Sequence, residues 1–277
     1  MKETHLKHSF RAALVIFATL VSSHVFAAVT DWAEDTGGRM RLIVTAPDED
    51  GTIRGALQVE PAPGFITYWR EPGESGIPPH ISVSGSDDVR LSRMRYPTPE
   101  RMEIAGGYDM GYDQPVTFPL TFSAKAGRLP DMSVSAFIGL CKNICIPFQA
   151  SFNIPPEAGA YKTSPVETAI LAVAETRLPE NPSSDFDVKS ARLSEEGIAL
   201  SLNLPNGNGK PEIIIASSKG FVIAAPDGAW KDHVYAVAIP ASQIPEGATG
   251  TDAEWSVLVK SGGRAMETLL VFDTRQN

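Results

Sequence analysis

Cysteine and histidine are scarce in this chain, with two cysteines and five histidines among 277 residues. Three of the histidines, His5, His8 and His24, fall in the amino-terminal segment, leaving only His80 and His233 beyond it. A closed zinc site would have to gather four ligands from distant places, and nothing local supplies them. Basic residues are also in the minority, 24 Lys and Arg against 33 Asp and Glu, for a net charge of -9. That balance argues against a general nucleic-acid binder, which needs a basic face to neutralise phosphates, and it reads as a solubilising surface. Past the first 27 residues no stretch approaches 18 uninterrupted apolar residues, so a water-soluble chain is expected. The sequence also lacks G-x-S-x-G, a Walker loop, H-E-x-x-H, and G-x-G-x-x-G after a strand. The C-x-x-C-H of a c-type haem site and the C-x-x-C of a thioredoxin active site are missing as well.

What stands at the amino terminus sets a compartment. Lys2, Lys7 and Arg11 precede an apolar run from Ala12 to Val21, and Val25-Phe26-Ala27 follows. Positive charge, a short apolar run and a small terminal residue are the parts of a secretory signal, and the run of about ten residues is far short of the ~20 needed to span a bilayer. Cleavage near Ala27 and an exported mature chain are expected.

Glycine and proline are plentiful, 23 and 22 residues, and they punctuate short apolar runs along the whole chain. This is the pattern of many short strands. Strands are expected at 39–45 and 52–60 around the turn Asp48-Glu49-Asp50-Gly51, then at 64–70, 80–84, 89–95, 115–124, 132–140 and 146–154. In the last, Ile146, Phe148, Ala150, Phe152 and Ile154 alternate with Pro147, Gln149, Ser151 and Asn153. The stretch from Glu71 to Pro79 holds too much Pro and Gly for regular structure, and long irregular loops in compact domains are often functional. One helix is expected from Ser164-Pro165-Val166-Glu167 to about Arg177, with an N-cap serine, a proline at the first helical position and a capping-box glutamate. Its apolar residues Val166, Ile170, Val173 and Ala174 share one face, which should pack against a domain. Pro179 to Ser184 reads as a linker. Beyond it, short strands at 197–204, 211–216, 234–239 and 255–260 fit a small β-sandwich that carries no cysteine.

The chemistry concentrates in Gly139-Leu140-Cys141-Lys142-Asn143-Ile144-Cys145-Ile146-Pro147. The cysteines flank a three-residue connection between two expected strands, and facing residues of an antiparallel pair lie about 4.5–5.5 Å apart, inside the range for a disulfide. Three readings stay open. A structural staple suits an exported chain, but a loop this short gives roughly 2 kcal/mol against about 4.7 kcal/mol for a 100-residue loop. A reversible redox pair suits a short, accessible, turn-located bridge. Soft Cu(I) held by the two thiolates and a methionine such as Met110, in a copper-tolerance role, is the third. Lys142 is the one cation adjacent to the pair, so no strong device for lowering a thiol pKa is visible. The aromatic group Tyr68, Trp69, Tyr108 and Tyr112 is either core or a recognition surface.

These residues resemble a known family, the periplasmic amino-terminal region of the transmembrane disulfide reductases DsbD and ScsB, with the ScsB type nearer. The resemblance rests on Tyr68-Trp69-Arg70-Glu71-Pro72-Gly73-Glu74-Ser75-Gly76-Ile77-Pro78-Pro79, on Ser84-Gly85-Ser86, on Tyr96-Pro97-Thr98-Pro99-Glu100-Arg101 and on Cys141 to Pro147, in the family's order across most of residues 30–155. It implies an all-β protein of two immunoglobulin-like β-sandwich domains joined by a short helix and linker. The divisions expected are a signal peptide at 1–27, a redox domain at 28–160, helix and linker at 161–184, and a second sandwich at 185–277. It further implies a thiol–disulfide oxidoreductase role needing no cofactor, in which the pair relays electrons from a membrane-embedded thiol transporter to periplasmic thioredoxin-fold proteins. By the same resemblance Cys145, followed by Ile146 and Pro147, takes the partner-facing role and Cys141 the resolving role, with Tyr68, Trp69, Arg70, Lys142 and Pro147 in support or recognition. The family's aromatic-bearing cap loop has no motif here, and Trp69 to Pro79 is its candidate by position. Family members continue into a membrane domain and a thioredoxin domain that this sequence does not contain, so either a separate protein supplies the membrane path or the chain acts as a stand-alone acceptor.

Overall fold

The computed structural model describes residues 29–73, 76–85, 88–104, 107–205, 210–246 and 253–273; the expected signal peptide and Glu74-Ser75 of the 71–79 loop lie outside them. In chain order the first strands are β1 (Ala33–Asp35), β2 (Gly38–Val44), β3 (Thr52–Pro61), β4 (Thr67–Tyr68), β5 (His80–Gly85) and β6 (Arg90–Met94). They are followed by β7 (Glu100–Ile104), β8 (Gly107–Tyr112), β9 (Val116–Ser123), β10 (Met132–Cys141) and β11 (Cys145–Ile154). Helix α1 (Pro165–Thr176) leads to β12 (Asp187–Ser194), β13 (Gly197–Asn203), β14 (Glu212–Ser217) and β15 (Val222–Ala224), then to β16 (Ala229–Lys231), β17 (Val234–Pro240), β18 (Trp255–Ser261) and β19 (Arg264–Leu269). Two sandwich-like domains result.

The first packs the five-stranded sheet β1-β2-β3-β9-β6 against the three-stranded sheet β11-β10-β5, with a smaller sheet β4-β8-β7 beside them. Strict alternation builds its core. On β10 the residues Met132, Val134, Ala136, Ile138 and Leu140 are all wholly buried, and they meet Leu42, Leu57, Phe118 and Phe122 from the larger sheet within one cluster. Burying a Val, Leu, Ile, Phe or Met side chain of this kind contributes on the order of 1.5–3 kcal/mol each, so the hairpin that carries the cysteines is rooted in the domain's core.

The second domain packs β12-β13-β17-β16 on β15-β14-β18-β19. Strand β14 does not alternate: Ile213, Ile214, Ile215 and Ala216 are all buried. Ile213 and Ile215 face the second core, whereas Ile214, Ala216 and Leu258 belong to the cluster of the first domain. A strand covered on both faces reads as a continuous apolar run, and here the second cover is the other domain.

Three sequence expectations change. The strand expected over 64–70 shrinks to β4, because Gly64 turns the chain at φ +82 and Phe65 N–H closes on Ala62 O at 2.8 Å. The β7–β8 hairpin was not anticipated, since glycine and charge dilute any period-two pattern across 100–112. In α1 the capping box forms, with Val166 N–H donating to Ser164 Oγ and Ser164 N–H donating to Glu167 at 2.8 Å. Its apolar face is another matter: Ala174 is buried, but Val166 and Val173 are 64% and 55% exposed. The helix is pinned at its end, by the Arg95–Glu175 ion pair and by Thr98 N–H donating to Arg177 O, and its earlier turns border an open groove of about 1630 Å³.

Candidate functional site

Strands β10 and β11 pair in register from Met132–Ile154 to Cys141–Cys145, so the cysteines face each other as the last pair before the tip. They form a disulfide with Cα atoms 4.0 Å apart, closer than the ladder spacing alone requires. Lys142 N–H closes the tip on Ile144 O at 3.2 Å, and Ile144 projects into solvent at 74% exposure.

The two cysteines are not equivalent. Cys141 is 6% exposed, and its backbone exchanges hydrogen bonds of 3.0 and 2.8 Å with Ile66, which adds a strand segment on its far side. Cys145, on the open edge, is only half-buried.

The outer face of β10 explains this asymmetry. Ser133, Ser135 and Phe137 on that face are half-buried, but Gly139 and Cys141 are buried because something covers them. The cover is Tyr68 together with the returning part of the 69–79 segment. A Cβ placed on Gly139 would lie 2.6 Å from Ile77 Cβ and 3.3 Å from Tyr68 Cδ2. A Cβ on Gly76 would lie 2.7 Å from the Tyr68 ring. Both positions need glycine for close approach rather than for a special backbone angle.

Tyr68 is almost wholly buried, and its hydroxyl lies 3.6 Å from Cys145 Sγ and 3.4 Å from Asp109 Oδ2, to which it donates. Asp109 is itself 2% exposed. Burial, and after it the neighbouring Asp109 carboxylate, push the Tyr68 phenol well above its ordinary range, so it remains a protonated donor at any physiological pH. A phenol held between a carboxylate and a sulfur can turn its one proton to whichever carries charge.

The other sequence-derived residues divide by location. Lys142 is exposed, with Nζ 5.8 Å from the Phe65 ring, and Pro147 is exposed opposite Gly139. Trp69 lies wholly within the core, with Arg70 stacked over it at 4.1 Å, and the Arg70 side chain points to Glu267 and Ser256 of the second domain. Tyr112 is core, donating to Pro97 O at 2.7 Å, whereas Tyr108 reaches the second domain. Met110, weighed as a third copper ligand, is wholly buried in the core cluster. Among the described residues no group of three or more His, Cys, Asp or Glu side chains is placed to hold a metal ion. The groove beside α1 contains neither cysteine.

Sequence reasoning missed Asp109, reached Ile77 only as part of the 69–79 segment, and quoted Gly139 beside the cysteines without giving it a role. Asp109 gave no signal within its glycine-rich stretch. Gly139 did give one, as an isolated glycine inside an alternating strand two residues before a cysteine.

Comparison with known proteins adds to this geometry. The family model described as thiol:disulfide interchange protein DsbD, N-terminal, matches residues 40–156. Among solved structures, the N-terminal periplasmic domain of ScsB from Proteus mirabilis is similar, with a TM-score of 0.68 at 22% identity, covering 89% of this chain and 100% of that one. That likeness extends across both sandwiches and speaks for the shared fold. The GAE domain of GGA2p from Saccharomyces cerevisiae aligns with a TM-score of 0.30 at 9% identity, over 46% of this chain and 98% of that one, too loosely to carry an argument. None of the curated proteins matches the chain.

Proposed function

We propose, from the match of residues 40–156 to the DsbD amino-terminal family model, that the chain is a periplasmic thiol–disulfide interchange protein. It relays electrons from a membrane-embedded thiol transporter to periplasmic thioredoxin-fold proteins through a reversible Cys141–Cys145 disulfide. In this reading 1–27 is a cleaved signal, 28–160 the redox domain, 161–184 the helix and linker, and 185–277 the second domain.

The observation that carries the reading is the inequality of the two cysteines: Cys145 half-buried on an open edge, Cys141 6% exposed and clasped by Ile66. Exchange requires a thiolate to reach one sulfur of the bridge while the other leaves. A donor thiolate attacks Cys145 Sγ; the S–S bond breaks, Cys141 leaves as a thiolate, and a donor–Cys145 mixed disulfide forms. The donor's second thiolate then attacks its own sulfur in that mixed disulfide, closing the donor's disulfide and releasing Cys145 as a thiolate. Two electrons have entered, and each thiolate takes a proton from water according to its pKa. Delivery reverses the order, with Cys145 attacking the acceptor's disulfide and Cys141 resolving the intermediate. Tyr68, 3.6 Å from Cys145 Sγ, donates to the sulfur when it carries charge. Lys142 and Pro147, exposed at the tip, border the surface a partner would meet, whereas Trp69 and Arg70 act from behind it.

The test is the reduction potential of the pair in the mature protein, by equilibration with defined thiol buffers and counting of free thiols. A value between roughly −180 and −270 mV supports exchange, whereas one below about −300 mV marks a structural bridge and sinks the reading.

A further inference from the structure

The connection Lys142-Asn143-Ile144 at the tip of the β10–β11 hairpin follows turn chemistry only in part. Lysine and asparagine suit an exposed turn, whereas a β-branched aliphatic residue gains nothing there unless something packs on it. Ile144 is 74% exposed, and among the described residues of the first domain no other large aliphatic or aromatic side chain is left so open. Single exposed apolar residues are common, so it is the position of this one that gives it meaning: it immediately precedes Cys145.

The surroundings of Ile144 at this end of the sandwich carry little charge. The pairing of Ile66 with Cys141 brings residues 62–65 alongside Lys142. Lys142 folds back over them: a Cβ on Gly64 would lie 3.0 Å from Lys142 Nζ and 3.1 Å from Cε, and Nζ stands 5.8 Å from the Phe65 ring. Its hydrocarbon stem therefore lies on the glycine and its ammonium is drawn toward the aromatic ring, as long cationic side chains do on apolar surface. Pro63 and Gly64 are exposed and Phe65 is half-buried. Across residues 62–66 and 141–147 Lys142 is the one charged side chain.

We propose that Ile144 is the docking residue of the exchange surface. With Pro63, Phe65 and the stem of Lys142 it forms an apolar patch that seats a protein whose own exchanging cysteine is set in an apolar, uncharged surface. The inference rests on the reading of Cys145 as the exchanging cysteine and names the kind of partner that site takes. Covalent geometry supplies the reason. In the mixed disulfide the partner's sulfur stands about 2.05 Å from Cys145 Sγ, with the two Cα atoms about 4.4–6.8 Å apart. Ile144 Cα is only about 3.8 Å further along the chain, so a protein surface near enough to form that bond also meets Ile144. Water then leaves the exposed isoleucine, with a gain proportional to the apolar area removed, whereas a charge brought to the same place would lose its hydration without a partner.

The experiment measures the second-order rate constant for reduction of the bridge in the mature two-domain protein by reduced thioredoxin and, separately, by dithiothreitol. In each reaction the reductant's two thiols close to a disulfide as the Cys141–Cys145 bond opens to two thiols. Ile144→Ser is expected to lower the thioredoxin rate roughly tenfold and to leave the dithiothreitol rate within about twofold, because a small thiol needs no docking patch. Ile144→Val, which keeps most of the apolar surface, is expected to stay within about threefold of wild type. Ile144→Lys and Ile144→Glu are both expected to slow thioredoxin at least as much as Ile144→Ser, whatever the sign of the charge. A thioredoxin rate within about twofold of wild type in Ile144→Ser overturns the proposal, and so does an equal fall in the dithiothreitol rate, which would place the effect in the bridge itself. Faster exchange in either charged variant also overturns it, since recognition would then be electrostatic. Thioredoxin that reduces the wild-type bridge no faster than dithiothreitol does the same, because no docking gain exists. The reduction potential of the pair decides the reading of Cys145 separately, so failure of the docking patch and failure of the exchange reading are told apart.

Discussion

Replacing Tyr68 with phenylalanine removes one oxygen and leaves the ring that packs against Gly76 and Gly139. That oxygen stands 3.6 Å from Cys145 Sγ and 3.4 Å from Asp109 Oδ2. In the reduced protein a Cys145 thiolate would receive the phenol's hydrogen bond, and the same hydroxyl stands between the sulfur and the buried carboxylate. Both effects favour the charged sulfur, so their loss raises the thiol pKa. A hydrogen bond to a charged group contributes about 1.5–3 kcal/mol, and a contact this long belongs at or below the lower end. At 1.36 kcal/mol per pKa unit, the expected rise is about one unit. The assay is the pH dependence of iodoacetamide alkylation of Cys145 in a Cys141→Ser background, with and without Tyr68→Phe. An inflection that stays in place or moves down would refute the argument, because it would mean that the hydroxyl does not serve the thiolate.

Cys141→Ser and Cys145→Ser are each expected to abolish electron exchange with thioredoxin-fold proteins while costing only about 2 kcal/mol of stability, measured by urea unfolding, as a loop this short implies. Failure of either variant to fold would favour a structural bridge. Gly139→Ala places a methyl group 2.6 Å from Ile77 Cβ, so it should displace Ile77 and speed dithiothreitol reduction by about five- to 150-fold for 1–3 kcal/mol of overpacking; an unchanged rate would mean that Ile77 does not guard the bridge. Burial raises the Glu71 carboxyl from its ordinary range to about 7, against the opposing pull of Arg70. The folded state therefore binds the proton more tightly than the unfolded state, and this stability is present below pH 4.5 and lost as pH rises through about 7. Glu71→Gln should flatten that dependence, gaining about 1–3 kcal/mol on wild type between pH 5 and pH 8 in urea unfolding, and parallel pH curves for the two proteins would contradict it.

Much of this fold was legible because its signals are local. Alternation from Ile146 to Ile154 became β11, the turn at Asp48 to Gly51 closed with Gly51 N–H on Asp48 O, and the serine, proline and glutamate at 164, 165 and 167 started α1 where expected. The same locality misled at α1, where a shared apolar face does not by itself reveal whether a neighbour covers it, and Val166 and Val173 are left in solvent. It also misled over 64–70, where strand-like residues lacked a continuous partner. The triple isoleucine of β14 was a readable sign of a sheet covered twice, but which surface supplied the second cover was not.

The sequence by itself determined the cysteine pair, the hairpin that brings the cysteines face to face and the strand-rich character of both domains. Each of these depends on residues a few positions apart and on the two-residue period of a strand. Only the tertiary structure decided which cysteine is the more exposed, that Tyr68 stands between Cys145 and Asp109, and that the second domain reaches the root of the cover. Those contacts join residues 77, 41 and 197 positions apart, for Tyr68 with Cys145, Tyr68 with Asp109 and Arg70 with Glu267. No propensity or period acts over such separations; two packed sandwiches and the faces they bury against each other bring these residues together.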